Sequence, residues 1–401
     1  LSIIVQKYGG SSVADVDKIK TIAKKIYEVK KSGDDIVAVV SAMGKTTDSL
    51  IELAKSISPD PQKREMDMLL STGERITMSL LCIALNELGI DSISLTGSQA
   101  GIITNDRHND ARVIEVRPFR VLDELANDKV VVVGGFQGVS YKRDITTLGR
   151  GGSDTSAVAL AAGLNAARCE IYSDVDGVYS ADPAVIKGSI HLPEISYEIM
   201  QEMSEAGAKV LNAQAVQFAK ESKIAIYARK TSGGEKETIV RQMPAGLSKG
   251  VKAVVHENEI IRLILNGNNI QNNLNYILQL FEERQIKLKE LNYNFNDVNE
   301  RASVLISGKI LIGWNSIKEE LTSKLKDGII VESGLGAISL IGDGINRDNF
   351  ILNESLKILE KYSIRIKGIS TTSFRITFLM SNEAVNECAR IFHKKWIEEI
   401  T

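Results

Sequence analysis

A chain of 401 residues, 43% hydrophobic and 25% charged, is too long for one ordinary core and has the composition of a soluble globular protein of two or three domains. Its 49 basic and 51 acidic residues leave a formal charge of −2, which excludes a global field that would draw nucleic acid or an anionic membrane. Cys82, Cys169 and Cys388 lie far apart in apolar periodic stretches and the four histidines lack ligand spacing. The cysteines therefore read as buried thiols of a reducing compartment, with no disulfide framework or metal centre. The N-terminus has no basic-then-apolar leader, and no stretch approaches the roughly 20 apolar residues of a membrane span, so a cytoplasmic protein is expected.

Taken in chain order, the first elements alternate strand and helix. Ser2–Lys7 is a short apolar strand running into Gly9-Gly10-Ser11. Ile19, Ile22, Ile26 and Val29 recur at helical spacing, and Gly33 is placed to end that helix. Ile36–Val40 is a β-branched run ending at Ser41, after which Thr46 or Thr47 can cap a helix. Gly73–Leu88 reads as a helix stopped by Gly89, and Val130–Val133 as a strand leading to Gly134-Gly135. Ser153–Asn165 is an Ala-rich helix, and Cys169–Tyr172 a strand ending at Ser173-Asp174. Strands separated by such helices pair in parallel through right-handed crossovers, which predicts an α/β fold with a mostly parallel sheet sandwiched by helices. Ligands gather at the carboxyl ends of strands in such folds, here at 7–11, 41–47, 134–136 and 173–182.

Pro244, Gly246 and Gly250 mark a linker, assigned to 244–254, after a first domain of 1–243. Beyond it a strand–helix–strand pattern occurs twice. The first copy runs Ile260–Leu265, a helix near Asn273–Arg284, then Ala302–Ser307. The second runs Ala337–Ile341, a helix near Leu352–Tyr362, then Phe374–Met380 and a final helix. Two small βαββαβ modules are predicted, at 255–334 and 335–401.

Four segments carry chemistry. Lys7-Tyr8-Gly9-Gly10-Ser11-Ser12 offers a cation, and glycines that let backbone N–H groups close on an anion, although a plain strand–turn–helix connection looks similar. Thr147–Ser156 concentrates three glycines, Arg150 and four hydroxyls at the entry to an Ala-rich helix, and Arg150 can grip a carboxylate bidentately. Ser71-Thr72-Gly73-Glu74-Arg75 reads as a helix start, with Glu74 as an ordinary first-turn acid. Ser173–Tyr179 with Asp182-Pro183 is either an acidic turn or the frame of a nucleotide and its metal.

Together, KYGGSS, SAMGKTTDSL, STGERI, TTLGRGGSDTSAVALA, SDVDGVYSADP and GAKVL, in this order across nearly all of 2–243, resemble the aspartokinases of the amino acid kinase (carbamate-kinase-like) family. The tail resembles their paired ACT regulatory domains more loosely. The resemblance implies transfer of a phosphoryl group from ATP, with Mg²⁺, to the β-carboxylate of L-aspartate, the first step toward lysine, threonine and methionine. It places Lys7 and Asp154 in catalysis, and Ser41, Thr47, Glu74, Phe136, Arg150 and Ser153 around aspartate. Glu74 would face the ammonium and Arg150 the α-carboxylate. Lys7, Gly9, Gly10 and Ser11 would line the phosphates, and Ser173, Asp174, Tyr179, Asp182 and Lys209 the nucleotide. It implies an amino-acid effector, lysine or threonine, while composition and spacing give no protein metal centre and no nucleic-acid or membrane partner, and the Ile- and Leu-rich strands of Val251–Met380 predict a homodimer or higher assembly through the ACT-like modules.

The residues agree chemically. A zwitterionic substrate needs one acid and one cation, and a β-carboxylate ionised at pH 7 needs no general base, only alignment and charge neutralisation. Several positions depart from the family: Ala184 follows Asp182-Pro183 in place of arginine, Asn212-Ala213 follow GAKVL, Asn268-Asn269-Ile270 replace a Pro-Gly turn, and no return strand follows Trp396–Thr401. Two other readings stay open: a kinase of the same fold acting on another amino acid or acyl-glutamate, and a catalytically silent amino-acid-sensing subunit.

Overall fold

The computed structural model describes residues 2–149, 151–208, 210–243, 250–267, 269–284, 286–295, 300–308 and 313–399. Arg150, Lys209, Pro244, Gly246 and Asn268 of the sequence reading lie outside these. The chain forms two compact units, one of 1–178, 191–204 and 209–245, the other of 179–190, 205–208 and 246–401.

The β-branched runs build the first unit. Ile36–Val40 and Val130–Val133 are fully buried, as strands covered on both faces must be. They sit inside an eight-stranded sheet, in the order Glu194–Ser196, Glu237–Arg241, Ile226–Lys230, Arg168–Ser173, Ile3–Tyr8, Asp35–Val40, Val130–Gly134, Ser92–Leu95. Every neighbouring pair is parallel except Ile226–Lys230 with Glu237–Arg241. Lys7 stands opposite Val39 on one side and Ile171 on the other, so the central strands finish level. Backbone bonds bind the ends together: Ser41 N–H to Tyr8 O at 3.1 Å, Gly135 N–H to Val40 O at 2.9 Å and Gly9 N–H to Tyr172 O at 3.3 Å. A smaller four-stranded sheet, in the order Val113–Val116, Ile102–Thr104, Gln137–Ser140, Ile145–Thr147, belongs to the same unit.

Helix Val16–Lys31 buries Ile19, Ile22, Ala23 and Ile26 against this sheet, the periodic stripe of the sequence. Two expectations about helix starts need correcting. Helix Thr46–Ile57 is capped by neither threonine: its N-cap is Lys45 without a side-chain bond, and the Thr46 hydroxyl donates to Met43 O instead. The helix expected at Gly73 begins at Lys63 and runs to Glu87, so Ser71–Arg75 lies in its interior. Gly73 reads as a break in sequence, yet a Cβ there would come within 2.8 Å of the Ala42 Cβ. The glycine lets the helix cross close to the strand end. By length and composition this helix, alone among the described residues, could cross a membrane, contrary to the expectation that no stretch qualifies. Here it buries Leu81 and Leu85 in the first unit's core together with the acids Asp67 and Glu74.

The second unit is one six-stranded antiparallel sheet, in the order Leu288–Phe295, Glu300–Ser307, Gly250–Leu265, Ile329–Asp343, Arg375–Ser381, Gly368–Thr371. Its two central strands each serve both predicted modules. Ile260–Leu265 pairs with Ala302–Ser307, whereas Gly250–Glu257 pairs with Ala337–Asp343. The second module therefore takes its fourth strand from Gly250–Glu257, which begins inside the stretch read as a linker and supplies what is missing after Trp396. Helices Ile270–Glu283 and Trp314–Leu325 cover the first half, with Phe350–Lys361 and Val385–His393 on the second. Ala181 and Ile186 pack with Phe392, Trp396 and Ile397 in the latter core. The three cysteines are buried and free.

The strand Ile3–Tyr8 buries charge chemistry on the face opposite Lys7. Glu170, 1% exposed, accepts from Gln6 Nε2 at 2.8 Å, Tyr172 OH at 2.9 Å, Arg168 Nε at 2.8 Å and Arg229 Nη1 at 2.7 Å. Burial pushes this carboxyl up, but Arg168, Arg229 and Gln6 outweigh it and hold the group below its ordinary value. Its stabilisation is thus present above the unfolded value of about 4.3 and is lost as pH falls through the lower folded value. Glu170→Gln is expected to cost about 2–3 kcal/mol at pH 7, below the ~3–5 of a fully buried pair because both guanidiniums are partly exposed. Urea midpoints at neutral and acid pH check this, since an equal loss at both would contradict the electrostatic origin.

Candidate active site

The site is built at the level strand ends, from one helix on each face of the sheet. From one face, helix Gly152–Gly163 presents Asp154 in its first turn, where the helix N-terminus favours a carboxylate. Asp154 Oδ1 lies 2.6 Å from Lys7 Nζ, both side chains being 12% exposed. Ser153, 7% exposed, packs beside Gly135: a Cβ on that glycine would lie 3.1 Å from Ser153 Oγ. Phe136 holds a left-handed φ of 65°, an uncommon state for a bulky residue. Its N–H donates to Ser156 Oγ at 3.1 Å, and its side chain packs on Ala54, Met66 and Leu70.

From the other face, helix Lys63–Glu87 delivers Glu74, 2% exposed. Ala42 N–H donates to its Oε1 at 3.0 Å, while Oε2 is buried without a partner. Burial pushes the carboxyl up to about 7, the Ala42 amide offsetting it only in part. A half-satisfied carboxylate in a dry position is an acceptor set for a cationic or donor group. It lies in the interior of its helix, so the alternative reading of a first-turn acid does not apply.

Ala42 also borders the glycine turn. A Cβ on Gly10 would lie 3.0 Å from Ala42 O, and one on Gly9 3.4 Å from Lys7 Nζ, so side chains are excluded where an anion would meet backbone N–H groups. Ser12 is buried and bonded to Thr231 Oγ1 at 2.6 Å. Thr231 donates to Ser173 O at 2.9 Å, which leaves Ser12 as donor and ties the turn to the strand Arg168–Ser173.

The structure thus brings together Lys7, Gly9, Gly10, Ser41, Glu74, Phe136, Ser153 and Asp154. Thr47 lies in the first turn of its helix, partly buried. Ser11 is exposed, its carbonyl taking Lys18 Nζ at 3.0 Å. Ser173 accepts from Val175 N–H at 3.3 Å in a local turn, and Asp174 is exposed. Tyr179 and Asp182 belong to the segment of the second unit, where Ala184 N–H donates to Asp182 Oδ1 at 2.9 Å. Arg150 and Lys209 are outside the described residues. Among those described, no three His, Cys, Asp or Glu side chains converge on a metal position. Sequence reasoning missed Asp67 and Thr231, and held Ser12 only as the last residue of the first motif. Asp67 had a signal, since it stands two helical turns from Glu74 on the same buried face.

A model of the amino acid kinase family matches residues 2–229. The aspartokinase of Bacillus sp. (strain MGA3) is 38% identical over 410 residues, spanning 98% of this chain and 97% of that protein. The aspartokinase of Mycolicibacterium smegmatis is 38% identical over 409 residues, spanning 98% and 96%. Among solved structures, E. coli aspartokinase III in complex with aspartate and ADP superposes with a TM-score of 0.81 at 23% identity, covering 98% of this chain and 99% of that one, a likeness of fold. With a family model over more than half its length and full-length relatives well above 30% identity, the chain belongs to the amino acid kinase family and, within it, to the aspartokinases.

Proposed function

We infer that the chain is an aspartate kinase, transferring the γ-phosphoryl group of ATP to the β-carboxylate of L-aspartate to give 4-phospho-L-aspartate and ADP. The observation that carries the reading is the position of Glu74. Its unpartnered Oε2 is an acceptor for an ammonium, and Ala42, whose N–H holds Oε1, borders the Gly9-Gly10 turn beside Lys7 through its carbonyl. The aspartate ammonium sits on Glu74 and its α-carboxylate on Arg150, with Ser41, Thr47, Phe136 and Ser153 around the remainder. The phosphates lie against Lys7, Gly9, Gly10 and Ser11, and the rest of the nucleotide toward Ser173, Asp174 and Lys209. A β-carboxylate oxygen forms a bond to the γ-phosphorus as the bond to the ADP oxygen breaks, and no proton has to move. Lys7, held by Asp154, neutralises charge on the transferring group. The glycine turn and the cation suit the phosphates of a nucleotide that carries Mg²⁺; among the described residues no three His, Cys, Asp or Glu side chains form a metal position. When bound, Mg²⁺ screens the phosphate charge.

The intact Lys7–Asp154 pair speaks against a silent subunit, and the full-length aspartokinase relatives against another amino-acid substrate. We assign pairing of two subunits, and response to lysine or threonine, to the second unit. Its edge strands Leu288–Phe295 and Gly368–Thr371 leave Leu291, Tyr293 and Ile369 exposed. Sedimentation at micromolar concentration is expected to give a dimer; a monomer removes the assignment.

Two substitutions separate phosphate from substrate roles. Lys7→Ala is expected to lower kcat by about 100-fold or more with a smaller change in the KM for aspartate. Arg150→Ala is expected to raise that KM at least about tenfold, the value of a lost charge-assisted bidentate contact. A kcat in Lys7→Ala close to that of the parent, or an unchanged KM in Arg150→Ala, removes the corresponding role. Glu74 must ionise to hold an ammonium, so kcat/KM for aspartate is expected to climb with pH and level off above about 7. In the free protein the same raised value favours the protonated acid, so its stabilisation is full below about pH 4.3 and lost as pH rises through about 7. A kcat/KM profile flat from about pH 5.5 to 8.5 would show that Glu74 is not the group in play.

A further inference from the structure

Helix Lys63–Glu87 carries a second buried acid that the proposed chemistry leaves without a part. Asp67 is 0% exposed, so it meets neither solvent nor a ligand directly. Its partners come from outside the helix. The Thr147 hydroxyl donates to Oδ1 at 2.5 Å, Asn109 N–H donates to Oδ1 at 3.0 Å, and His108 Nδ1 lies 2.6 Å from Oδ2. Burial pushes the carboxyl up, and the bonds from Thr147, His108 and Asn109 offset this only in part. A fully buried acid in the core of a helix face is costly unless such bonds serve the structure around it.

Each partner borders the turn that leads into the site. Thr147 closes the strand Ile145–Thr147, and the next residue, Leu148, donates its N–H to Phe136 O at 2.9 Å. A Cβ on Gly152 would lie 2.8 Å from Leu148 Cβ and 3.0 Å from Phe136 Cδ2, so this residue pins the start of the helix that bears Ser153 and Asp154. On the other side, a Cβ on Gly149 would lie 3.1 Å from Asp110 Oδ1 and 3.4 Å from Asn109 O, so the loop holding His108 backs the same turn. Glu74 stands two helical turns beyond Asp67. Gly134 packs against Glu74, with a would-be Cβ 3.4 Å from Glu74 Cβ, and Gly135 packs against Ser153.

We propose that Asp67, through Thr147 and His108, is a positioning residue for aspartate binding. It fastens Thr147-Leu148 and the loop of His108 and Asn109 to the helix that carries Glu74, and so fixes the separation of Phe136 and Ser153 from Glu74 across Gly134-Gly135. The proposal rests on the reading of Glu74 as the partner of the substrate ammonium. A shift of the order of 1 Å between such groups is enough to weaken binding of a small rigid substrate.

The test uses the full-length chain, steady-state kinetics with each substrate varied in turn, and thermal melting. Thr147→Val keeps the shape of the side chain and removes the donor, and His108→Ala removes the second partner at a partly exposed position. The expected result is a KM for aspartate raised about tenfold in Thr147→Val and about threefold in His108→Ala, with the KM for ATP unchanged within about twofold, and recovery in Thr147→Ser. An unchanged KM for aspartate in both variants overturns the proposal. So does a parallel rise in both KM values that follows a lowered melting temperature, which would mark a merely structural bond. A parent chain that does not turn over aspartate overturns the underlying reading as well, and this is seen before any substitution is made.

Discussion

One residue, Ala42, organises the site. The N–H of Ala42 holds Glu74 and its carbonyl borders Gly10, so the acid that meets a cation and the turn that meets an anion are separated by a single residue. This follows from where parallel strands stop. The strands are level at Tyr8, Val40, Gly134 and Tyr172, and backbone donors and acceptors no longer needed for pairing turn outward together. A helix from each face then reaches the same rim. Were the register of Asp35–Val40 displaced by one residue, Ala42 would lose both contacts and the strand would turn its side chains over.

The strand Ile3–Tyr8 separates two buried charge networks with different work. On one face, Lys7 and Asp154 form a compact pair whose cation retains access to the rim. On the other, Glu170 is enclosed by two arginines, a glutamine and a tyrosine. Alternation of side chains along a strand makes this division possible. The enclosed network fixes the strand among its neighbours, so that the lysine is presented by a rigid element. A buried ion pair adds little net stability by itself. Its value at Lys7 is orientation.

Much of this was legible from composition and order. The valine and isoleucine runs are strands because nothing else buries such residues on both faces, and the glycine- and hydroxyl-rich segments fall at strand ends as α/β topology requires. Ser71–Arg75 was misplaced because a glycine inside a helix looks like a boundary until its close neighbour, Ala42, is known. Asp67 was overlooked for a related reason. Its periodicity with Glu74 was visible, but its burial depends on Thr147 and His108, which approach only in three dimensions. The strand at Gly250–Glu257 was concealed by turn residues beside it and by a partner strand far along the chain.

That distant pairing governs how the protein is made. During synthesis, Gly250–Glu257 leaves the ribosome well before Ala337–Asp343 exists to pair with it, and the residues of the whole first half of the sheet are made in the interval. Val254 and Val255, destined for the interior, wait meanwhile with an open hydrogen-bonding edge. The nascent chain therefore passes through a stage at which this segment is available to holdase chaperones or to another copy of itself, and that exposure ends only when its late partner emerges.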